Sequence, residues 1–87
     1  MNAPDLLLEI KQGIVESAWL KIQPSEIGDD VPLYGPESLG LESIDVTTLI
    51  FDIEKRFSIV IPEDPEKVKQ ILYTPRTIQA EILRQRA

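Results

Sequence analysis

The sequence predicts an all-α protein, an antiparallel-type four-helix bundle with a long loop between helices 1 and 2 and a short third helix. Three observations predict it. Apolar residues recur at steps of three and four in separate stretches, prolines stand where helices must begin or stop, and no stretch alternates long enough to need a sheet. With 87 residues the chain is expected to form a single domain, 1–87, near the small end of what folds without covalent staples.

Pro4 fits the first turn of a helix, where its missing amide is not needed, and Asp5 and Glu9 suit the positive end. Leu7, Ile10, Ile14, Ala18 and Ile22 recur as one helical face, broadened by Leu6, Leu8, Val15, Trp19 and Leu20. Gln23-Pro24 is the expected stop, since proline lacks an amide and disfavours helix in its predecessor. From Ser25 to Glu42 the turn-formers Gly28, Pro32, Gly35, Pro36 and Gly40 leave no sustained period. Ile27, Val31, Leu33, Leu39 and Leu41 are expected to pin this loop to a core, and a single helical turn is expected near Ser25 to Ile27.

The second helix is expected from Ser43 to about Arg56. Val46, Leu49, Ile50, Ile53 and Phe57 fall within an arc of about 100°, a buried stripe. Ile44, Thr48, Phe51 and Lys55 fall on the opposite side, where two large apolar residues read as a docking face. Phe57-Ser58-Ile59-Val60-Ile61-Pro62 reads as an extended connector with Phe57, Ile59 and Ile61 inward. Asp64 caps a short third helix with Pro65 at its first position, followed by Val68, Ile71 and Leu72. Thr74-Pro75 repeats that signal for a fourth, with Ile78, Ile82 and Leu83 inward and Arg84 and Arg86 at its negative end. The expected core is Leu7, Ile10, Ile14, Val46, Leu49, Ile50, Ile53, Phe57, Ile61, Val68, Ile71, Ile78 and Ile82, with Trp19 partly buried.

Composition narrows the chemistry. The chain has no cysteine and no histidine, so it has no disulfide framework, no thiolate metal cluster and no Ser-His or Cys-His nucleophile pair. No residue is expected to be catalytic or to ligate a metal. The formal charge is −6, and between Ile22 and Glu54 the acids Glu26, Asp29, Asp30, Glu37, Glu42, Asp45, Asp52 and Glu54 meet no base. Such a field either repels nucleic acid and steers basic protein surfaces toward the chain, or simply keeps a small domain in solution. No apolar run approaches the ~18 residues of a membrane span, and the N-terminus lacks the pattern of a signal peptide, so the cytoplasm is the expected compartment.

One stretch organises these features: Leu39-Gly40-Leu41-Glu42-Ser43-Ile44-Asp45. Serine at a helix start is an ordinary N-cap. It also places a hydroxyl outside the core, at an end whose unpaired amides and dipole tolerate a phosphate. A chain that cannot perform acyl chemistry itself, yet displays a serine beside a docking surface, suits a carrier.

That stretch resembles the attachment motif of the acyl carrier protein family, usually Leu-Gly-any-Asp-Ser-Leu followed often by Asp. Phe57-Ser58-Ile59-Val60-Ile61-Pro62 is similar to the family's segment after the second helix, and the order of helices and loop agrees over most of the chain. The resemblance implies that Ser43 receives 4′-phosphopantetheine from coenzyme A through a separate, divalent-metal-dependent phosphopantetheinyl transferase. It implies a non-catalytic, monomeric carrier of thioester-linked acyl groups, serving acyl-ligase, ketosynthase or acyltransferase enzymes with basic docking patches in fatty acid, lipid or polyketide-type biosynthesis. Glu42, Ile44, Asp45, Thr48, Phe51, Asp52, Glu54 and Lys55 are the docking residues expected. An acyl pocket between helices is a further implication. Other readings are a carrier of aminoacyl or aryl units in nonribosomal peptide or polyketide pathways, and an unmodified helical adaptor. The chain departs from the family pattern in Glu42 for Asp, and in Thr48, Lys55 and Arg56, which interrupt an acidic second helix. Between Phe57 and the last helix it also looks a few residues longer. These departures imply a specialised member.

Overall fold

The computed structural model describes residues 3–86, with side chains from residue 6 onward. Among them are four α-helices and one 3-10 turn, and no strand: α1 (Ala3–Ala18), α2 (Ser43–Phe57), α3 (Pro65–Ile71) and α4 (Pro75–Arg86), with the turn at Pro24–Glu26 in the first loop. The helical bundle and its long first connection agree with the sequence pattern. The expectation for the Asp5 side chain lies outside the described residues.

α1 packs against both α2 and α4, and α3 leans on α4. The core comprises Leu6, Ile10 and Ile14 of α1, Leu49, Ile53 and Phe57 of α2, and Ile78 and Ile82 of α4, closed by Ile27, Leu33, Leu41, Ile59, Ile61 and Leu72. The face of α1 differs from the expected one. Leu6, not Leu7, is buried, and Leu7 is only half-buried. The inner face runs through Leu6, Ile10, Gly13, Ile14 and Ser17. A Cβ at Gly13 would stand 2.5 Å from Asp52 Oδ2 of α2, so the missing side chain leaves room for that carboxylate against α1.

α1 also ends earlier than expected. Trp19 takes a left-handed conformation, φ 54°, just beyond Ala18, and Leu20 N–H donates to Val15 O at 3.1 Å. Ile22 is therefore off the helix and exposed, and Trp19 is 87 % exposed rather than partly buried. Val46, Ile50 and Val68, expected in the core, are half-buried and face the gap between α2 and α3; Ile71 is also half-buried, while Leu72 is the fully buried residue at the end of α3. Leu83 is exposed, not inward.

The starts of α3 and α4 follow their local signals. Asp64 Oδ1 accepts from Glu66 N–H at 3.0 Å, with Pro65 opening the helix. Thr74 Oγ1 accepts from Thr77 N–H at 3.1 Å, and Thr77 Oγ1 accepts in return from Thr74 N–H at 2.9 Å.

The connector after α2 alternates as expected, with Phe57, Ile59 and Ile61 buried. Its backbone is held by side chains rather than by a neighbouring strand. Glu54 Oε2 accepts from Ile61 N–H at 2.8 Å. Gln85 of α4 clasps Val60 on both sides, accepting from its N–H at 3.0 Å and donating to its carbonyl at 2.7 Å. Gln85 also donates to Glu81, which pairs with Arg84.

The loop is tied down by ions as well as by leucines. Lys11 of α1 donates to Asp29 at 2.5 Å, and Arg76 of α4 reaches Asp29 at 3.5 Å and Asp30 at 2.8 Å. The hydrogen bond from Lys11 holds the Asp29 carboxyl below its ordinary 3.8, and that from Arg84 holds Glu81 below its ordinary 4.5. A lowered folded value means stability that is complete above the ordinary values and disappears as pH falls through the folded ones. Urea unfolding followed from pH 7 downward should show the midpoint falling only once pH drops below the ordinary range of these two carboxyls, with a shallower fall in Lys11→Met. An identical acid profile in that variant would contradict the Asp29 assignment.

Candidate functional site

The site is built at the point where the loop hands over to α2. Leu33 is fully buried, and both of its backbone groups are used. Its N–H donates to Tyr73 O at 2.8 Å, and its carbonyl accepts from Leu41 N–H at 2.9 Å. Leu41 is in turn buried, two residues before the helix begins. Leu39 N–H donates to Pro32 O at 3.0 Å, so the motif segment lies along the earlier part of its own loop. Gly40 stands between these anchors at φ 80°, with nothing near where a Cβ would be. Its role is that backbone angle, which a residue with a side chain rarely adopts.

α2 then starts at a defined residue. Glu42, not Ser43, is the N-cap, and Ser43 is the first helical residue. Asp45, third in the helix, accepts from Glu42 N–H at 3.0 Å. This is the return half of a capping box, and it puts a carboxylate at the positive end of the helix. Relieved of capping, Ser43 is exposed on the side of α2 that faces α3.

There Ser43 adjoins a cavity of about 350 Å³ lined by Leu41, Val46, Ile50 and Val68, with Tyr34, Thr47 and Lys69 supplying polar atoms. A second hollow of about 300 Å³ shares Thr47, Ile50 and Val68 with it and runs on toward Phe51, Glu54 and Pro62. Together they form one groove between α2 and α3. Tyr34 holds its loop-side wall: its hydroxyl donates to Lys69 O at 2.6 Å and its ring meets Tyr73 edge-on, centroids 5.8 Å apart. Burial, with Tyr73 alongside, pushes the Tyr34 phenol above its ordinary value, so it remains a neutral donor. Sequence reasoning missed Tyr34, which lies in the loop just before the motif but carries no motif signal, and Lys69, which comes from the remote α3.

The expected docking residues divide into two sets. Ile44, Thr48, Phe51 and Lys55 share an exposed side of α2. The carboxylates do other work. Asp45 closes the helix start, and Glu54 holds the connector. Asp52 lies in the Gly13 notch, accepting from Arg56 Nε at 3.1 Å while Arg56 also pairs with Glu16 of α1 at 2.9 Å. Of the eight acids between Ile22 and Glu54, Asp29, Asp30 and Asp52 are thus neutralised by ion pairs within the chain.

The residues fit a phosphopantetheine group. Ser43 offers an exposed hydroxyl at a helix start that favours an anion, and the groove beside it gives a tether somewhere to lie. The family model described as "Phosphopantetheine attachment site" matches residues 14–64, a span containing Ser43 and the whole of α2, and ending just before α3. The chain belongs to the acyl carrier protein family. A curated relative from Sulfurovum sp. (strain NBC37-1), named "Acyl carrier protein", is 36 % identical over 56 residues, covering 64 % of this chain and 69 % of the relative. Another of that name, from Wolinella succinogenes, is 34 % identical over 64 residues, covering 72 % of this chain and 79 % of the relative. The cofactor of this acyl carrier protein domain is therefore covalent 4′-phosphopantetheine, and the family is one of carriers rather than catalysts. No group of His, Cys, Asp or Glu that could hold a metal occurs among the described residues, and no described helix is long and apolar enough to cross a membrane.

Because Asp45 sets where the helix begins, its loss should be felt in stability as well as at the site. Asp45→Ala is expected to cost about 1 kcal/mol in urea unfolding, the usual scale of a helix-capping contact. An unchanged midpoint would show that the Glu42 amide is satisfied without it.

Proposed function

We infer that Ser43 is the attachment point of the 4′-phosphopantetheine arm and that the chain is a single carrier domain, residues 1–87, acting as a cytoplasmic monomer. The observation that carries this reading is the exposed hydroxyl of Ser43 at the first position of α2, freed from capping by Glu42 and facing the α2–α3 groove. A phosphopantetheinyl transferase would deliver the group from coenzyme A. When bound, the arm supplies a thiol that holds an acyl group as a thioester, the sulfur that this cysteine-free chain lacks.

The chain's own residues present and shelter. The start of α2 favours the charge of a phosphodiester on Ser43, and Asp45 keeps that start fixed. Leu41, Val46, Ile50 and Val68 offer an apolar wall on which an acyl chain is removed from water. The enzymes served are acyl-ligases, ketosynthases or acyltransferases of fatty acid, lipid or polyketide-type biosynthesis, with basic groups that meet the acidic start of α2. Aminoacyl or aryl cargo is the second reading, favoured by the Tyr34 ring, an aromatic neighbour on the groove wall.

Incubation of the purified chain with coenzyme A, magnesium and a broad-specificity transferase, followed by intact-mass measurement, tests this. One phosphopantetheine should be gained by the wild type and none by Ser43→Ala. An unmodified wild type would make the chain a helical adaptor, and a modified Ser43→Ala would move the attachment elsewhere.

A further inference from the structure

Apart from Ser43, the donor-bearing side chains on the wall of the cavity are Tyr34, Thr47 and Lys69. Tyr34 and Thr47 have already spent theirs. The Tyr34 hydroxyl donates to Lys69 O at 2.6 Å, and the Thr47 hydroxyl donates to Ser43 O at 3.0 Å. The Lys69 ammonium forms no ion pair among the described residues, and it is the one cation among those that line the cavity. Its place on the wall is fixed through its own backbone, since Tyr34 holds Lys69 O and Tyr73 steadies the Tyr34 ring. Around Ser43 the charge is of the other sign. Glu42 faces the same cavity, Asp45 closes the helix start, and the run from Ile22 to Glu54 contains no base. The fold thus brings from α3 a positive charge that the sequence withholds near the serine.

We propose that Lys69 is the counter-ion of the phosphodiester that loading places on Ser43, and so a positioning residue that turns the root of the arm into the α2–α3 groove. The proposal rests on the reading of Ser43 given above. A phosphodiester is a permanent anion whose free oxygens accept hydrogen bonds, and a lysine meets it as a point charge with rotatable donors. The first amides of α2 offset part of that charge, while Glu42 and Asp45 oppose it. Lys69 redresses the balance from the opposite wall. Because α3 leans on α4 rather than on α2, this pair would also tie α3 to the start of α2 once Ser43 is loaded. An exposed pair of this kind is weak and sensitive to salt, so it orients the arm without trapping it. A cation in the last turn of α3 also suits that helix's negative end, but that contribution is the same whether Ser43 is bare or loaded.

The test compares the unloaded chain with the chain loaded by coenzyme A and a transferase, the arm left as a free thiol so that the phosphodiester is its only anion. Loading is first verified by intact mass. Amide hydrogen exchange at Val68 and Leu72, whose N–H groups donate to Asp64 O and Val68 O at 2.9 Å, reports on α3. Loading should slow both amides roughly threefold in the wild type, in Lys69→Arg and in Lys67→Gln, the scale of an exposed ion pair, and leave them unchanged in Lys69→Gln. The slowing should vanish in about 0.5 M sodium chloride. The 31P resonance of the loaded chain should differ between wild type and Lys69→Gln at low salt and coincide at high salt. Equal slowing in Lys69→Gln, no slowing in the wild type, slowing that survives high salt, or its loss in Lys67→Gln would overturn the proposal, as would identical 31P spectra at low salt. A wild type that never loads is a different result, and removes the reading of Ser43 itself.

Discussion

The site depends on how one buried leucine uses its backbone. Leu33 gives its N–H to Tyr73 at the turn between α3 and α4, and takes Leu41 N–H on its carbonyl. These two hydrogen bonds fasten the far end of an otherwise irregular loop to the helical part of the molecule. Leu41 is then fixed, Glu42 follows in extended conformation, and α2 can begin only at Ser43. Without that ladder, only the Glu42–Asp45 contact would hold the helix start, and a shift of one residue turns a side chain by about 100° around the axis. Ser43 would then face α1 or open solvent instead of the groove.

The same economy of contacts explains why the groove exists. α2 is drawn against α1 by the Gly13 notch and the Asp52–Arg56–Glu16 ions, while α3 leans on α4 and is tethered to the loop through Tyr34. The two neighbours are pulled apart by different partners, and the half-buried Val46, Ile50 and Val68 line the gap. Gln85 and Glu54 keep the connector between α2 and α3 extended by holding its amides. An open apolar cleft in so small a protein lowers stability, since its lining residues forgo packing. It lies beside Ser43, where the proposed function would use it.

Much of this was legible in the sequence because the signals were local. Asp64-Pro65 and Thr74-Pro75 announced two helix starts, and the stripe of Leu49, Ile53 and Phe57 announced α2. The motif around Ser43 pointed to the family before any geometry was known. The phase of α1 was not legible, because Leu6, Leu7 and Leu8 fit any face equally and the inner face runs through the small residues Gly13 and Ser17, which carry no apolar signal. Its end was hidden by Trp19, a residue rarely found in the left-handed conformation. The capping role of Glu42 was masked by the better intrinsic capping ability of Ser43 beside it. Charge was the least legible feature. Lys11, Arg56 and Arg76 reach their acids through the fold or around a helix turn, and only the fold reveals how much of the acidic stretch is already neutralised.

Native-state amide hydrogen exchange at Leu33 and Leu41 tests the central claim most directly. If the ladder holds the start of α2 in place, both amides should exchange as slowly as those of the core residues Ile10 and Ile53 and respond to urea with them. Exchange at the rate of a free loop, with α1 and α2 still protected, would contradict the account.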